Sequence, residues 1–240
     1  MSHDGEALAA AKLTRARAWA GMRYPYLAVL ALHLPQQAAP GRGRGGWTDG
    51  RTLYYDPQYV AGLDDAQARG LVLHLVLHAA LGHPWRRAGR EEGRWEAACD
   101  IVVNGVLRRL AGTSLPPGAS RTDPKLEGGD VEGVYARLPS GLEAPESGST
   151  QAPQAQPDYS TAQGLDDYWS GARRAAESAG DDPGGVARHY PKARPALDWR
   201  TRLTRYMTAA MLDYSWSPPD RRMMAHDVLY PSLAGETAWV

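Results

Sequence analysis

Cysteine is almost absent from this 240-residue chain: Cys99 stands alone. One cysteine excludes an internal disulfide and fits a reducing, cytoplasmic setting. An excess of charge is missing as well. Lys and Arg total 27 against 27 Asp and Glu, and the isoelectric point is near 7.1. With no global basic field, neither nucleic acid nor an anionic membrane is an expected partner. The first residues, Met1-Ser2-His3-Asp4-Gly5-Glu6, lack the basic start and apolar core of a signal peptide. The longest apolar run is roughly half of the ~20 residues a membrane span needs. No internal repeat is visible. What remains, 43% apolar and 22% charged residues, is enough for a single domain over 1–240 with a long insertion.

One further absence matters most, and it lies in the stretch Leu71-Val72-Leu73-His74-Leu75-Val76-Leu77-His78-Ala79-Ala80-Leu81-Gly82-His83. His74 and His78 are four residues apart, so on a helix they share a face, with Cβ atoms about 5–6 Å apart. Two neutral imidazoles at that separation can hold one zinc ion at roughly 2.0–2.1 Å each. The motif H-E-x-x-H uses that spacing for the metal and the intervening Glu as general base. Here Leu75 takes the second position, so the metal half is present and the proton acceptor is not.

Asp64 and Gln67 form a capping-box signal before this stretch, and the helix is predicted to run to about Gly82, with Pro84 blocking continuation. Because Leu71 to Leu81 is apolar on every face, the helix should be buried. Buried imidazoles must be hydrogen-bonded or ligated, since an unpaired polar group costs a few kcal/mol in an apolar core. Both a metal site and a pair of ordinary core histidines satisfy that. A second helix, Arg94 to Leu110, places Glu96, Asp100 and Asn104 in one stripe at i, i+4 and i+8. Asp100 can serve as a third ligand, or face solvent, or pair with an arginine. Glu96, one turn earlier, is a candidate replacement base. His83 lies about 140° round a helix from His78, so it joins the same site only if the helix breaks at Gly82; a helix-terminal hydrogen bond is the expected role. His189 and Tyr190 have no assigned place, and Cys99, next to Asp100, reads as core.

Elsewhere, Glu6 to Ala20 reads as a helix, and Tyr24 to Leu34 fits either a strand or a short helix. Gln36 to Gly46 reads as a loop whose Gly41-Arg42-Gly43-Arg44-Gly45-Gly46 piece is a flexible connection. Thr48-Asp49-Gly50 is a turn before a strand, Arg51 to Tyr55, giving a hairpin. Asp130 to Leu138 reads as a short helix. Pro139 to Gly164 reads as a mobile loop. Leu165 to Ala179 returns to helix, ended by Asp181-Asp182-Pro183-Gly184-Gly185. Leu197 to Tyr214 has helical spacing of Trp199, Leu203, Tyr206, Met207 and Met211.

Several of these pieces, in their order and spacing, resemble the metallopeptidase domain at the N-terminus of bacterial VWA-like (DUF2201-type) proteins. They are Thr48-Asp49-Gly50 with Leu53-Tyr54-Tyr55-Asp56-Pro57, His74 with His78 to Arg86, Trp95, Ala98, Asp100 and Asn104, Val131 to Tyr135 with Leu138-Pro139, and Leu197 to Arg200 with Asp213 to Trp216, Pro219 to Arg222 and Tyr230 to Leu233. The resemblance implies an α+β, zincin-like fold, mainly helical, with a small sheet packed on the histidine-bearing helix. It implies Zn2+ on His74, His78 and Asp100, and an edge strand near Leu53 to Tyr55 for a peptide or protein substrate. A MoxR-type AAA+ ATPase is an implied partner, for which the domain would act as an adaptor. The family pattern has an acid at position 75 and an Asn-like residue at position 96. The expectation is therefore a zinc-binding, catalytically silent domain, with an adaptor role or a peptidase using Glu96 as alternatives.

Overall fold

The computed structural model describes residues 3–41, 45–117, 121–143, 149–150 and 162–190, with two short strands at 214–215 and 232–233. By its internal contacts the chain divides into two units, Met1–Pro191 and Lys192–Val240. The first unit is α+β and mainly helical, with a three-stranded mixed sheet.

Helix α1 (His3–Arg23) buries Ala9, Leu13, Ala16 and Ala20, a stripe at three- and four-residue intervals. Tyr24 to Leu34 resolves in favour of helix: α2 (Pro25–Leu32) starts on Pro25, whose fixed φ suits the first turn, and buries Tyr26, Leu27, Leu30 and Ala31. Strand β1 (Gln36–Ala38) follows, then β2 (Gly46–Thr48) and β3 (Leu53–Tyr55). The expected hairpin is present: β2 and β3 are antiparallel, with Gly46 opposite Tyr55 and Thr48 opposite Leu53.

Two expectations fail here. Gln36 to Ala38 is a strand, not a loop. It pairs parallel with β3, so the sheet order is β1-β3-β2. In consequence Leu53 to Tyr55 is the central strand and cannot be the free edge; the edges are β1 and β2. A three-residue, half-polar strand carries no usable alternation, so its pairing is fixed by tertiary contacts: Leu53 donates to Pro35 O at 2.8 Å and Ala39 to Tyr55 O at 2.8 Å.

After α3 (Pro57–Gly62) comes the central helix α4 (Asp65–Ala80). Its capping box is complete: the Asp64 side chain accepts from Gln67 N at 2.8 Å, and Asp64 N donates to Gln67 Oε1 at 3.0 Å. From Gly70 to Ala80 every residue of α4 is buried. Helices α1 and α2, strand β2, α6 (Glu92–Leu107) and α8 (Ala162–Ala179) all pack on it. An all-round apolar helix needs such all-round cover. Gly82, at φ 74°, ends the run, and the short α5 (His83–Arg86) starts anew with Pro84 in its first turn. Helix α7 (Val131–Arg137), capped by Asp130, packs on α6. A 3-10 turn, Pro183–His189, closes the first unit. In the second unit, β4 (Tyr214–Ser215) pairs antiparallel with β5 (Ser232–Leu233). The helix expected over Leu197 to Tyr214 lies outside the described residues except at Tyr214, as do 144–148 and 151–161 of the expected insertion. Among the described residues no helix is long and apolar enough to cross a membrane.

Leu77 is fully buried in the middle of α4. Leu77→Ala is expected to lower the unfolding free energy by about 2–5 kcal/mol, read as a shift of the urea midpoint at unchanged m value.

Candidate metal centre

Helix α4 turns His74 and His78 to the same side, with ring centroids 4.5 Å apart. Helix α6 brings Asp100 against them. Asp100 Oδ1 lies 3.3 Å from His78 Nε2 and 3.6 Å from His74 Nε2. One ligand atom from each of the three residues falls within 4.8 Å of the others, and all three side chains are buried. For comparison, neighbouring donors around a tetrahedral zinc with bonds of about 2.0 Å stand about 3.3 Å apart. The stripe on α6 thus faces α4 rather than solvent or an arginine.

The hydrogen bonds behind this triad set the imidazole tautomers. Asn104 Nδ2 donates to Arg121 O at 2.9 Å, which turns its Oδ1 to His74 Nδ1 at 3.1 Å. A carbonyl oxygen only accepts, so the proton of His74 is on Nδ1 and the lone pair is on Nε2, facing Asp100. Behind His78 stands His83, with the two Nδ1 atoms 3.3 Å apart. The helix does break at Gly82, and His83 makes this contact instead of a helix-terminal one. One proton is shared between the two Nδ1 atoms. A cation on His78 Nε2 requires that proton to sit on His78 and be donated to His83.

Two atoms of the triad have no hydrogen-bond partner among the described residues, His78 Nε2 and Asp100 Oδ1. A buried polar atom left unpaired costs about 1–3 kcal/mol. Two imidazole nitrogens and a carboxylate oxygen are a zinc-type donor set, so the residues present fit a divalent ion. Burial alone would push the Asp100 carboxyl up, but the imidazoles of His78 and His74 outweigh it and hold it below the usual range. Burial, followed by the neighbouring His78, pushes His74 down to about 3. His83 also lies well below its usual value, chiefly through burial.

Leu75 is fully buried and carries nothing that takes a proton. A Cβ on Gly46 would stand 2.9 Å from Leu75 Cδ1, so the side chain is wedged beneath strand β2. Glu96, one turn before Asp100, is buried, and burial pushes its carboxyl up despite the hydrogen bond from Thr150. Its Oε2 accepts from Ser149 N at 3.1 Å and its Oε1 from the Thr150 hydroxyl. Ser149 Oγ is also 3.0 Å from His74 Nε2, to which it donates. Ser149 and Thr150 were not foreseeable: two hydroxyl residues in a Gly/Pro/Ser-rich stretch carry no local signal. His189 is apart from the triad, its Nδ1 donating to Gly129 O at 3.0 Å, and the Tyr190 hydroxyl bonds that of Tyr26. Cys99 is core, its thiol pushed well up by burial.

A family model described as "Putative metallopeptidase domain" matches residues 9–183, which include every residue of this centre. No curated protein and no solved structure matches the chain.

The depressed His74 value has a measurable consequence. Between about 3 and the ordinary histidine value of ~6.5, the unfolded chain binds a proton that folded His74 refuses. Stability of the metal-free protein should therefore fall as pH drops through 6.5, by up to about 1.4 kcal/mol per pH unit for this group. His83 acts in the same window, while Asp100 adds a loss only below the ordinary carboxylate value of about 4. Urea midpoints in chelator at pH 7.5 and 5.5 should show the loss, and His74→Gln should reduce the slope. A flat profile would contradict it.

Proposed function

Because this chain belongs to the family described as "Putative metallopeptidase domain", we propose that His74, His78 and Asp100 hold a zinc ion in a peptidase-like domain with little hydrolytic power of its own. The observation that carries this reading is the convergence of three buried donors, with Asp100 Oδ1 3.3 Å from His78 Nε2 and 3.6 Å from His74 Nε2. A divalent ion supplies two things when bound: it acidifies a water molecule and polarises a carbonyl oxygen.

What the chain's own residues contribute is uneven. Asn104 and His83 orient the two imidazoles. Asp100 brings negative charge, which favours a cation in an apolar interior. Peptide hydrolysis also needs a group that accepts a proton from water and passes it to the leaving amine, worth 10²–10⁴ in rate, about 2.7–5.4 kcal/mol. Leu75 supplies none. An amide leaves poorly without that proton, so turnover should be low while metal affinity persists.

A second reading is favoured by one observation, the buried Glu96 carboxylate beside the triad. A carboxylate with its proton affinity raised is suited to a general base at neutral pH. Its two oxygens are engaged by Ser149 and Thr150, which argues against its action in this arrangement.

Metal analysis of the purified chain should give one zinc per molecule, and His74→Ala should lose it. Zinc at 100 times its dissociation constant should add about 2.7 kcal/mol of stability to the native chain, and none to that variant. In a peptide-cleavage assay Leu75→Glu should exceed the native chain by about 10²-fold or more. Native cleavage that disappears in Glu96→Gln would replace the first reading with the second. Absence of zinc would remove both.

A further inference from the structure

Ser149 and Thr150 form three kinds of contact with the centre at once. The Ser149 hydroxyl donates to His74 Nε2 at 3.0 Å, the nitrogen whose lone pair faces Asp100. The Ser149 amide and the Thr150 hydroxyl take up both oxygens of Glu96. The Ser149 carbonyl accepts from Thr48 N at 3.0 Å, and Thr150 bridges Thr48 in the parallel sense. Thr48 ends β2, an edge of the sheet order β1-β3-β2. Thr150 thus makes one isolated bridge outside the β2 edge, at the position where an added peptide strand would pair. At the same point they reach into the donor set.

The contacts compete with ligation. An imidazole nitrogen has one lone pair, so His74 Nε2 cannot accept the Ser149 proton and bind a cation together. Once a cation is in place, the Ser149 oxygen stands next to its open position, because 3.0 Å from a ligating nitrogen is near the ~3.3 Å spacing of adjacent tetrahedral donors. Glu96 is withheld in the same state.

We propose that Ser149–Thr150 is a built-in occupant of the metal face, held where an extended peptide would otherwise lie, and displaced before any outside ligand reaches the ion. The proposal rests on the reading of His74, His78 and Asp100 as metal ligands. The occupant is held by side-chain bonds that can be removed singly. Ser149→Ala deletes the hydroxyl that competes for His74 Nε2 before loading and stands beside the open position after it, while Thr150→Val deletes one tie to Glu96 and leaves His74 untouched.

The test uses the full chain loaded with Co2+, whose visible absorption reports its ligands, titrated with acetohydroxamate, a small chelating ligand for such ions. Acetohydroxamate should bind the native chain weakly and both variants about tenfold more tightly, the worth of one or two hydrogen bonds. If Ser149→Ala does not fold, Thr150→Val decides alone. Equal affinities for native chain and variants, with Co2+ fully bound, would overturn the proposal and leave the metal centre standing. No uptake of Co2+ would overturn both.

Discussion

Taking imidazoles and a carboxylate out of water is the constraint on which this structure turns. His74 and His78 sit in a helix with no polar face, and Asp100 in a helix packed directly on it. Each such group carries a desolvation cost that only a partner can offset. Part of the offset is visible in Asn104 and His83. The rest is left open at His78 Nε2 and Asp100 Oδ1, and a cation is what a low-dielectric pocket with those donors favours. The apolar cover of α4 and the polarity of its one histidine edge are two sides of the same arrangement: cover excludes water, and the exclusion makes the electrostatics strong.

Much of this was legible in the chain. The spacing of His74 and His78, the Asp64 capping box, the α6 stripe and the Thr48-Asp49-Gly50 turn each involve interactions within four residues or one helix face, where sequence separation maps directly onto space. Less legible were features that depend on distant partners. Strand β1 reads as loop in sequence because three residues hold no period. The family resemblance puts a free edge at Leu53 to Tyr55, but the pairing of β1 with that strand leaves β1 and β2 as the edges. Ser149 and Thr150 come to Glu96 across more than fifty residues, a closure that no local pattern records.

Positions 75 and 96 flank the triad from adjacent helices, α4 and α6. An aliphatic side chain at 75 extends the apolar cover of α4 up to strand β2, and a buried carboxylate outside the triad, Glu96, is on the neighbouring helix. Glu96 is tied down by the backbone and hydroxyl of a segment that also touches His74. The centre thus presents three converging donors, with a carboxylate beside them whose two oxygens are already engaged.

Gly82 shows how far a single torsion reaches. Its φ of 74° is one that a residue with a Cβ reaches only at about 1–2 kcal/mol, and the atoms of Trp85 and Arg86 crowd the space that Cβ would fill. By reversing the handedness of the chain for one step, it folds His83 back behind His78, two side chains that a continuous helix would turn away from each other. The proton held between the Nδ1 atoms of His78 and His83 is then placed by backbone stereochemistry four residues downstream, so that the imidazole tautomer at the centre is partly a property of main-chain chirality.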